Sequence, residues 1–445
     1  MIFEPLYTAE EMRRAEEGHD IQELMRRAGA AVASEALRRF PDARSFVAVC
    51  GGGANGGDGR IAVERLRAEG REAQAVEVPA GSLPPADVLV DALFGTGFSG
   101  EPREAAASMI DAINGSGAPI LAVDLPSGVD ASTGEVGGAA VRADVTVTFH
   151  GPKVGLVIGP GRYHAGAVVV ADIGLAPAET EHRLVTAEIL KLVPRRRPTD
   201  NKYSAGSVLV VGGAPGLTGA VCLAAEAAFR ADAGYVAVAV PAPSLPVVEA
   251  RLLEAVKGDV ADVFDLAERA SALALGPGLG RGPEQRRLVR GLLASTGLPA
   301  VVDADALDGF EPVQREAPTV LTPHAGELGR LLDEDSDWVS AHRLEAARRC
   351  AREFDAVCLL KGADTIIAGP DGRALVYADG PPGLATAGTG DVLTGVTAAF
   401  LAKGMPALEA AAVGAAACGT AASLAPQQAG LVASDVIRLL PRALA

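Results

Sequence analysis

Two glycine-rich turns in this sequence carry a carboxylate where backbone amides gather, and they imply different chemistry. In the later turn, "GLATAGTGDVLTG" (383–395), Gly388, Gly390 and Asp391 open an apolar helical run. Successive N–H groups at a helix start stabilise charge developing on a transferring phosphoryl group. Asp391 stands in that turn, within reach of a substrate hydroxyl. The pattern therefore reads as phosphoryl transfer with Asp391 as the base. The blander alternative is an aspartate that only caps a tightly packed helix.

The earlier turn lies in "SFVAVCGGGANGGDGRIAVERL" (45–66). Gly51, Gly53 and Gly56 have the G-x-G-x-x-G spacing, and Glu77 follows about 20 residues on, as a dinucleotide fingerprint asks. Asp58 argues against the ordinary pose, because a carboxylate in the first turn would repel a diphosphate resting there. Two further strand ends add oxygen atoms. "VLVDALFGTGFSGE" (88–101) delivers Asp91, and "PILAVDLPSGVDASTGE" (119–135) delivers Asp124 and Ser127. With Asn55 they offer oxygen ligands past three strand ends, a set that suits a hard cation. Loop capping by Asp and Ser is the competing explanation.

These residues need a scaffold, and the hydrophobic pattern supplies one. Short β-branched runs alternate with amphipathic Ala-, Leu- and Arg-rich stretches, which predicts an α/β chain with mainly parallel sheets. Strands are expected near 45–50, 72–78, 87–91, 119–123, 144–149 and 167–171, and helices at 9–17, 21–39, 59–69 and 104–114. "VPRRRPTDNK" (193–202) reads as a connector. A second series follows, with a strand at 206–213 and a helix at 218–234. Strands are then expected near 235–240, 272–275, 300–303, 319–321, 356–360, 364–368 and 374–377, and helices at 388–402, 406–424 and 433–440.

Composition excludes several classes. A net charge of −16 opposes nucleic-acid binding, which needs basic patches. No apolar run reaches the ~18 residues of a membrane span, and the charged N-terminus lacks a signal-peptide pattern. A soluble, cytoplasmic protein is expected. Cys50, Cys222, Cys350, Cys358 and Cys418 form no C-x-x-C pair and read as reduced, buried small hydrophobes. No zinc-type histidine spacing occurs among the six histidines.

The motifs "GGGANGGDG", "VDALFGTGFSGE" and "VDLPSGVDASTG" occur in the order seen in the NAD(P)HX epimerase family, which residues 1–195 resemble. The resemblance implies a Rossmann-like three-layer domain that binds the hydrated nicotinamide nucleotide with potassium nearby. Carried over, the potassium ligands are Asn55, Asp91 and Ser127. Substrate contacts come from Ala54, Asn55, Gly56, Gly57 and Asp58, and from Gly95, Thr96, Gly97, Phe98, Ser99, Gly100 and Glu101. Asp124 also contacts substrate and is the candidate acid/base. The family pattern has Asn where this chain has Ala54, so one side-chain contact is missing.

Residues 203–445, after a linker at 196–202, resemble the ribokinase-like ADP-dependent NAD(P)HX dehydratases. The match rests on "KYSAGSVLVVGGAPGLTGA", "ALGPGLGRG", "VVDADAL", "VLTPHAGELGRLL", "CLLKGADTII" and the turn at Asp391. It implies that Ala220, Gly280, His324 and Asp391 face the hydrated dinucleotide. Lys361, Gly362, Ala363, Asp364, Thr365 and Gly390 would face the adenine nucleotide. The implied phosphoryl donor is ADP, with magnesium in this domain; "DADAL" receives no role. The implied substrates are NADHX, NADPHX and ADP, and a homo-oligomer is expected. The alternative is a ribokinase-like small-molecule kinase, of hydroxymethylpyrimidine type, with an accessory nucleotide-binding domain.

Overall fold

A computed structural model describes residues 1–78 and 83–445. The chain divides into two compact units. One comprises residues 5–182 and 340–342; the other comprises residues 1–4, 183–339 and 343–445. Residues 194–206, within the second unit, form neither helix nor strand.

After β1 (Phe3–Leu6), the first unit builds a six-stranded sheet. Its strands are β2 (Ser45–Cys50), β3 (Glu72–Glu77), β4 (Val88–Ala92), β5 (Ile120–Val123), β6 (Val145–Phe149) and β7 (Ala167–Ala171). The order is β3-β2-β4-β5-β6-β7, and every pairing is parallel. The helices are α1 (Ala9–Glu16), α2 (Ile21–Arg39), α3 (Ala54–Ala68) and α4 (Glu104–Asn114). Strand alternation supplies two apolar faces. Phe46, Ala48 and Cys50 pack with Val32, Ala62 and Leu66 of α2 and α3. Val47 and Val49 pack with Met109, Ile110 and Ile113 of α4. That is the expected three-layer architecture. Counted from β2, the strand order is 2-1-3-4-5-6, so the sheet reverses between β2 and β4, where such folds open a crevice.

The second unit carries an eleven-stranded sheet among the described residues. It adds β8 (His182–Val185), β9 (Ser207–Val211), β10 (Tyr235–Val240), β11 (Val256–Asp259), β12 (Ala272–Leu275) and β13 (Ala300–Val302). The remaining strands are β14 (Thr319–Leu321), β15 (Val357–Leu360), β16 (Thr365–Ala368) and β17 (Ala374–Tyr377). The order is β1-β8-β17-β16-β15-β14-β13-β12-β9-β10-β11. Pairings from β15 through β11 are parallel, and β15-β16-β17 is an antiparallel meander.

Its helices are α5 (Thr218–Arg230), α6 (Leu245–Arg251), α7 (Val263–Ala267), α8 (Pro283–Ser295), α9 (Ala325–Leu332), α10 (Ser336–Ala341), α11 (Arg343–Phe354), α12 (Thr389–Ala402), α13 (Ala407–Ser423) and α14 (Ala433–Ala443). All ten residues from Val392 to Leu401 in α12 are buried, and α13 is nearly as apolar. Helices that are hydrophobic all round belong inside a domain. Here α12 lies in the main core with residues of α5, α13 and α14, which fixes the position of its first turn.

Two helix boundaries differ from expectation by four residues or more. Helix α3 begins at Ala54, five residues before the expected start, because the glycine-rich turn is itself helical: Gly57 N–H donates to Gly53 O at 3.2 Å. Helix α5 ends at Arg230, four residues early, and Asp232 adopts a left-handed backbone. Five cysteines are free and buried.

Candidate active sites

In the first unit, the expected residues converge beyond β2, β4 and β5. Helix α3 starts at Gly53 with no side-chain cap, leaving its first amides available. The turn is tight: a Cβ on Gly56 would lie 1.9 Å from Gly51 O, whereas at Gly52 and Gly53 it would meet nothing within 4 Å. Asp91 is fully buried at the end of β4. It accepts Ser127 Oγ at 2.6 Å, Ser127 N at 2.8 Å and Leu93 N at 3.3 Å. Burial outweighs these bonds and pushes its carboxyl up to about 6. Ser127 Oγ also accepts Phe94 N at 2.9 Å, and Asn55 Nδ2 donates to Phe94 O at 2.9 Å. Asn55 and Ser127 therefore share Phe94 as a partner, and Asp91 joins them through Ser127, bringing amide, hydroxyl and carboxylate oxygens together. That donor set fits a weakly hydrated monovalent cation better than a transition metal. Among the described residues no cluster of three His, Cys, Asp or Glu side chains forms.

Asp124 sits just past β5 with φ +65°, a backbone uncommon outside glycine. Its Oδ1 is 2.6 Å from Lys153 Nζ and 3.1 Å from Thr148 Oγ1. Lys153 is 1% exposed and also donates to Thr148 Oγ1 and Phe149 O. Lys153 and Thr148 were not among the expected site residues. The signal was present as a lone lysine in "GPKVG" directly after an apolar strand. Asp58 is 7% exposed, and its Oδ1 is buried with no hydrogen-bond partner among the described residues. Burial, then the nearby charges of Asp124 and Glu16, push its carboxyl up to about 8. The segment from Gly95 to Glu101 forms a turn held by Phe98 N→Gly95 O at 3.1 Å, with Phe94 and Phe98 stacked 4.8 Å apart. Thr96, Gly97, Ser99 and Gly100 belong to that same loop.

In the second unit, residues past β13, β14 and β15 meet the start of α12. Gly388 is its N-cap and makes no side-chain bond to the first-turn amides. Asp391 lies in that turn, half-buried, and forms no ion pair among the described residues. Burial, then Asp303, push its carboxyl up to about 7 against the opposing pull of Lys361. Lys361 Nζ is 2.8 Å from Asp303 Oδ1 and 3.7 Å from Glu327 Oε2. Burial would lower its pKa, but these carboxylates reverse the effect and the net shift is upward. The other Asp303 oxygen accepts Thr394 Oγ1 at 2.7 Å. A Cβ on Gly390 would lie 3.5 Å from Lys361 Nζ and 3.8 Å from Asp303 Oδ2. The amide turn, the cation and the carboxylate thus occupy one spot.

The other expected residues fall as follows. Gly280 N donates to Asp305 Oδ2 at 3.0 Å, and Asp305 also binds Arg281 at 2.9 Å. Ala220 is in the first turn of α5, facing Gly278. His324 caps α9: its Nδ1 accepts Gly326 N at 3.0 Å and Glu327 N at 3.3 Å, while Glu327 accepts His324 N. Its ring remains more than half exposed, so capping uses one nitrogen and leaves the outer edge accessible. Gly362 and Ala363 continue the loop from Lys361, and Thr365 Oγ1 donates to Gly362 O. Asp364 differs from its neighbours. It is 1% exposed and pairs with Arg343 Nε at 2.9 Å, so its carboxylate holds the loop from below. Asp303, Thr394, Glu327 and Arg343 were not assigned from sequence.

The profile described as "NAD(P)H-hydrate dehydratase" matches residues 208–442, and that of "YjeF-related protein N-terminus" matches residues 21–82 and 71–155. A bifunctional NAD(P)H-hydrate repair enzyme of Moorella thermoacetica is 38% identical over 94% of this chain and 91% of its own. The Escherichia coli enzyme of that name is 34% identical over 98% and 93%. Among solved structures, the Bacillus subtilis ADP/ATP-dependent NAD(P)H-hydrate dehydratase, co-crystallised with ATP and Mg2+, superposes with a TM-score of 0.54 at 29% identity, covering 58% of this chain and 96% of that one. A ribokinase-like superfamily protein from Enterococcus faecalis, at 24% identity and a TM-score of 0.52, shares the fold, covering 60% and 97%.

Proposed function

The chain belongs to the family of bifunctional NAD(P)H-hydrate repair enzymes, and from that premise we propose how its two units divide the work. It is an enzyme with epimerase and dehydratase activities. The assignment made here is that residues 1–195 interconvert the R and S hydrates and residues 203–445 dehydrate the S form.

Hydration places a hydroxyl on a ring carbon of the nicotinamide, and hydroxide is a poor leaving group. Phosphorylation turns it into a good one. Asp391 takes the hydroxyl proton as the oxygen attacks the terminal phosphoryl group of ADP. The uncapped amides from Gly390 onward stabilise charge on that group, and Lys361 neutralises the phosphates. AMP leaves in that transfer; phosphate then departs from the ring carbon, its neighbour gives up a proton, and the ring double bond returns. Lys361 and Thr394 engage the two Asp303 oxygens; Mg2+ held by the nucleotide phosphates would supply further positive charge there. In the first unit, Asn55, Asp91 and Ser127 would hold K+, which supplies positive charge beside the bound hydrate. Ala54 offers the substrate only backbone contacts.

One observation carries this reading. Asp391 is free of ion pairs at an uncapped helix start, beside Lys361. The test is to incubate mixed hydrates with ADP, with and without potassium, and follow the return of reduced-cofactor absorbance. Full recovery with both epimers supports the two-site assignment. A stable phosphorylated product would instead identify an ordinary small-molecule kinase.

A further inference from the structure

We propose that Asp58 is the acid of the epimerisation, protonating the hydroxyl of the hydrated ring so that it leaves as water. The inference rests on the epimerase assignment above. Asp58 is more than nine-tenths buried, and one carboxyl oxygen finds no partner. Leaving a buried oxygen unsatisfied is costly unless something else uses it. Asp58 lies just past the first turn of α3, a helix whose start has no side-chain cap.

The groups that face Asp58 electrostatically are Asp124 and Glu16. Asp124 is already committed to Lys153 at 2.6 Å and to Thr148. Two carboxyls in one buried site therefore differ in surroundings: Asp124 has a fixed cation, and Asp58 has none. Such a division separates acid from base, and burial keeps Asp58 neutral near pH 7.

The step balances without any further reagent. The C6–O bond breaks with its electron pair on oxygen, and the Asp58 proton completes a water molecule. The ring nitrogen's lone pair closes a C6=N bond, and the carboxylates of Asp58 and Asp124 face the resulting cation. Water then adds to the opposite face, a new C6–O bond forms, and the nitrogen regains its pair. The proton shed by that water returns to the Asp58–Asp124 pair, which holds one proton before and after.

The full-length chain is assayed without ADP, starting from the pure R epimer in oxygen-18 water. The wild-type protein is expected to place one solvent oxygen in each S molecule formed. Asp58→Asn keeps the shape of the neutral acid but cannot give the proton. It is expected to slow epimerisation roughly 10²-fold or more, while ADP-dependent dehydration of the pure S epimer by the second unit stays near wild-type. Epimerisation without label, or wild-type rates in Asp58→Asn, would overturn the assignment while leaving the epimerase reading intact. No epimerisation by the wild-type chain would overturn both.

Discussion

Lys361 Nζ and Asp303 Oδ1 stand 2.8 Å apart directly beneath Gly390, and both act on the charge of Asp391. Asp303 favours the protonated form and Lys361 the ionised form. Dehydration should therefore rise with pH through about 7 as Asp391 becomes a competent base. At saturating ADP, Asp303→Asn is expected to move this acid limb to lower pH, and Lys361→Met to higher pH. A pH profile of kcat for each variant checks the directions.

Asp391→Asn should remove dehydration by roughly 10³-fold or more, the scale of losing a base in phosphoryl transfer, while epimerisation persists. It should also stabilise the protein at alkaline pH. The folded carboxyl titrates near 7 and the unfolded one near 3.8. Folding thus favours the protonated form, and ionisation at higher pH weakens the native state. The variant is expected to melt higher than wild-type at pH 8, with the gap closing toward pH 4. Thermal unfolding at both pH values tests it.

Replacing potassium with a large organic cation should slow epimerisation and spare dehydration of the pure S epimer. Asp91→Asn should raise the potassium concentration for half-maximal epimerisation about tenfold or more, because a charged oxygen ligand is lost. Initial rates across a potassium titration decide this.

Arg343→Ala would leave the Asp364 carboxylate buried without its ion-pair partner. Breaking such a pair costs about 3–5 kcal/mol. The variant should unfold at lower urea, and Arg343→Met with Asp364→Leu should recover much of the loss. Urea melts followed by circular dichroism check both variants.

Strand ends were legible because apolar runs stop at Gly or Asp, which is how Asp91 and Asp124 emerged from the sequence; the turn at Asp391 emerged from the glycines that open an apolar helical run. Partners contributed from elsewhere in the chain were not. Lys153 lies 29 residues from Asp124, and Asp303 lies 58 from Lys361, so no local period links them. Helix α3 was expected late because glycine is a poor helix former; packing of the turn against Gly51 overrides that cost. Helices α8 and α11, "PEQRRLVRGLLAS" and "RLEAARRCAREF", went unassigned because arginine obscures their narrow apolar stripes. His324 read as a substrate contact, and the capping box shows a second use for the same ring.

The contact between Gly56 and Gly51 O divides the first glycine-rich turn into rigid and permissive halves for anyone redesigning it. Randomising Gly52 and Gly53 offers new side chains a route toward altered ligand preference. A single methyl at Gly56 collides with main chain, so libraries that include it will fill with misfolded clones.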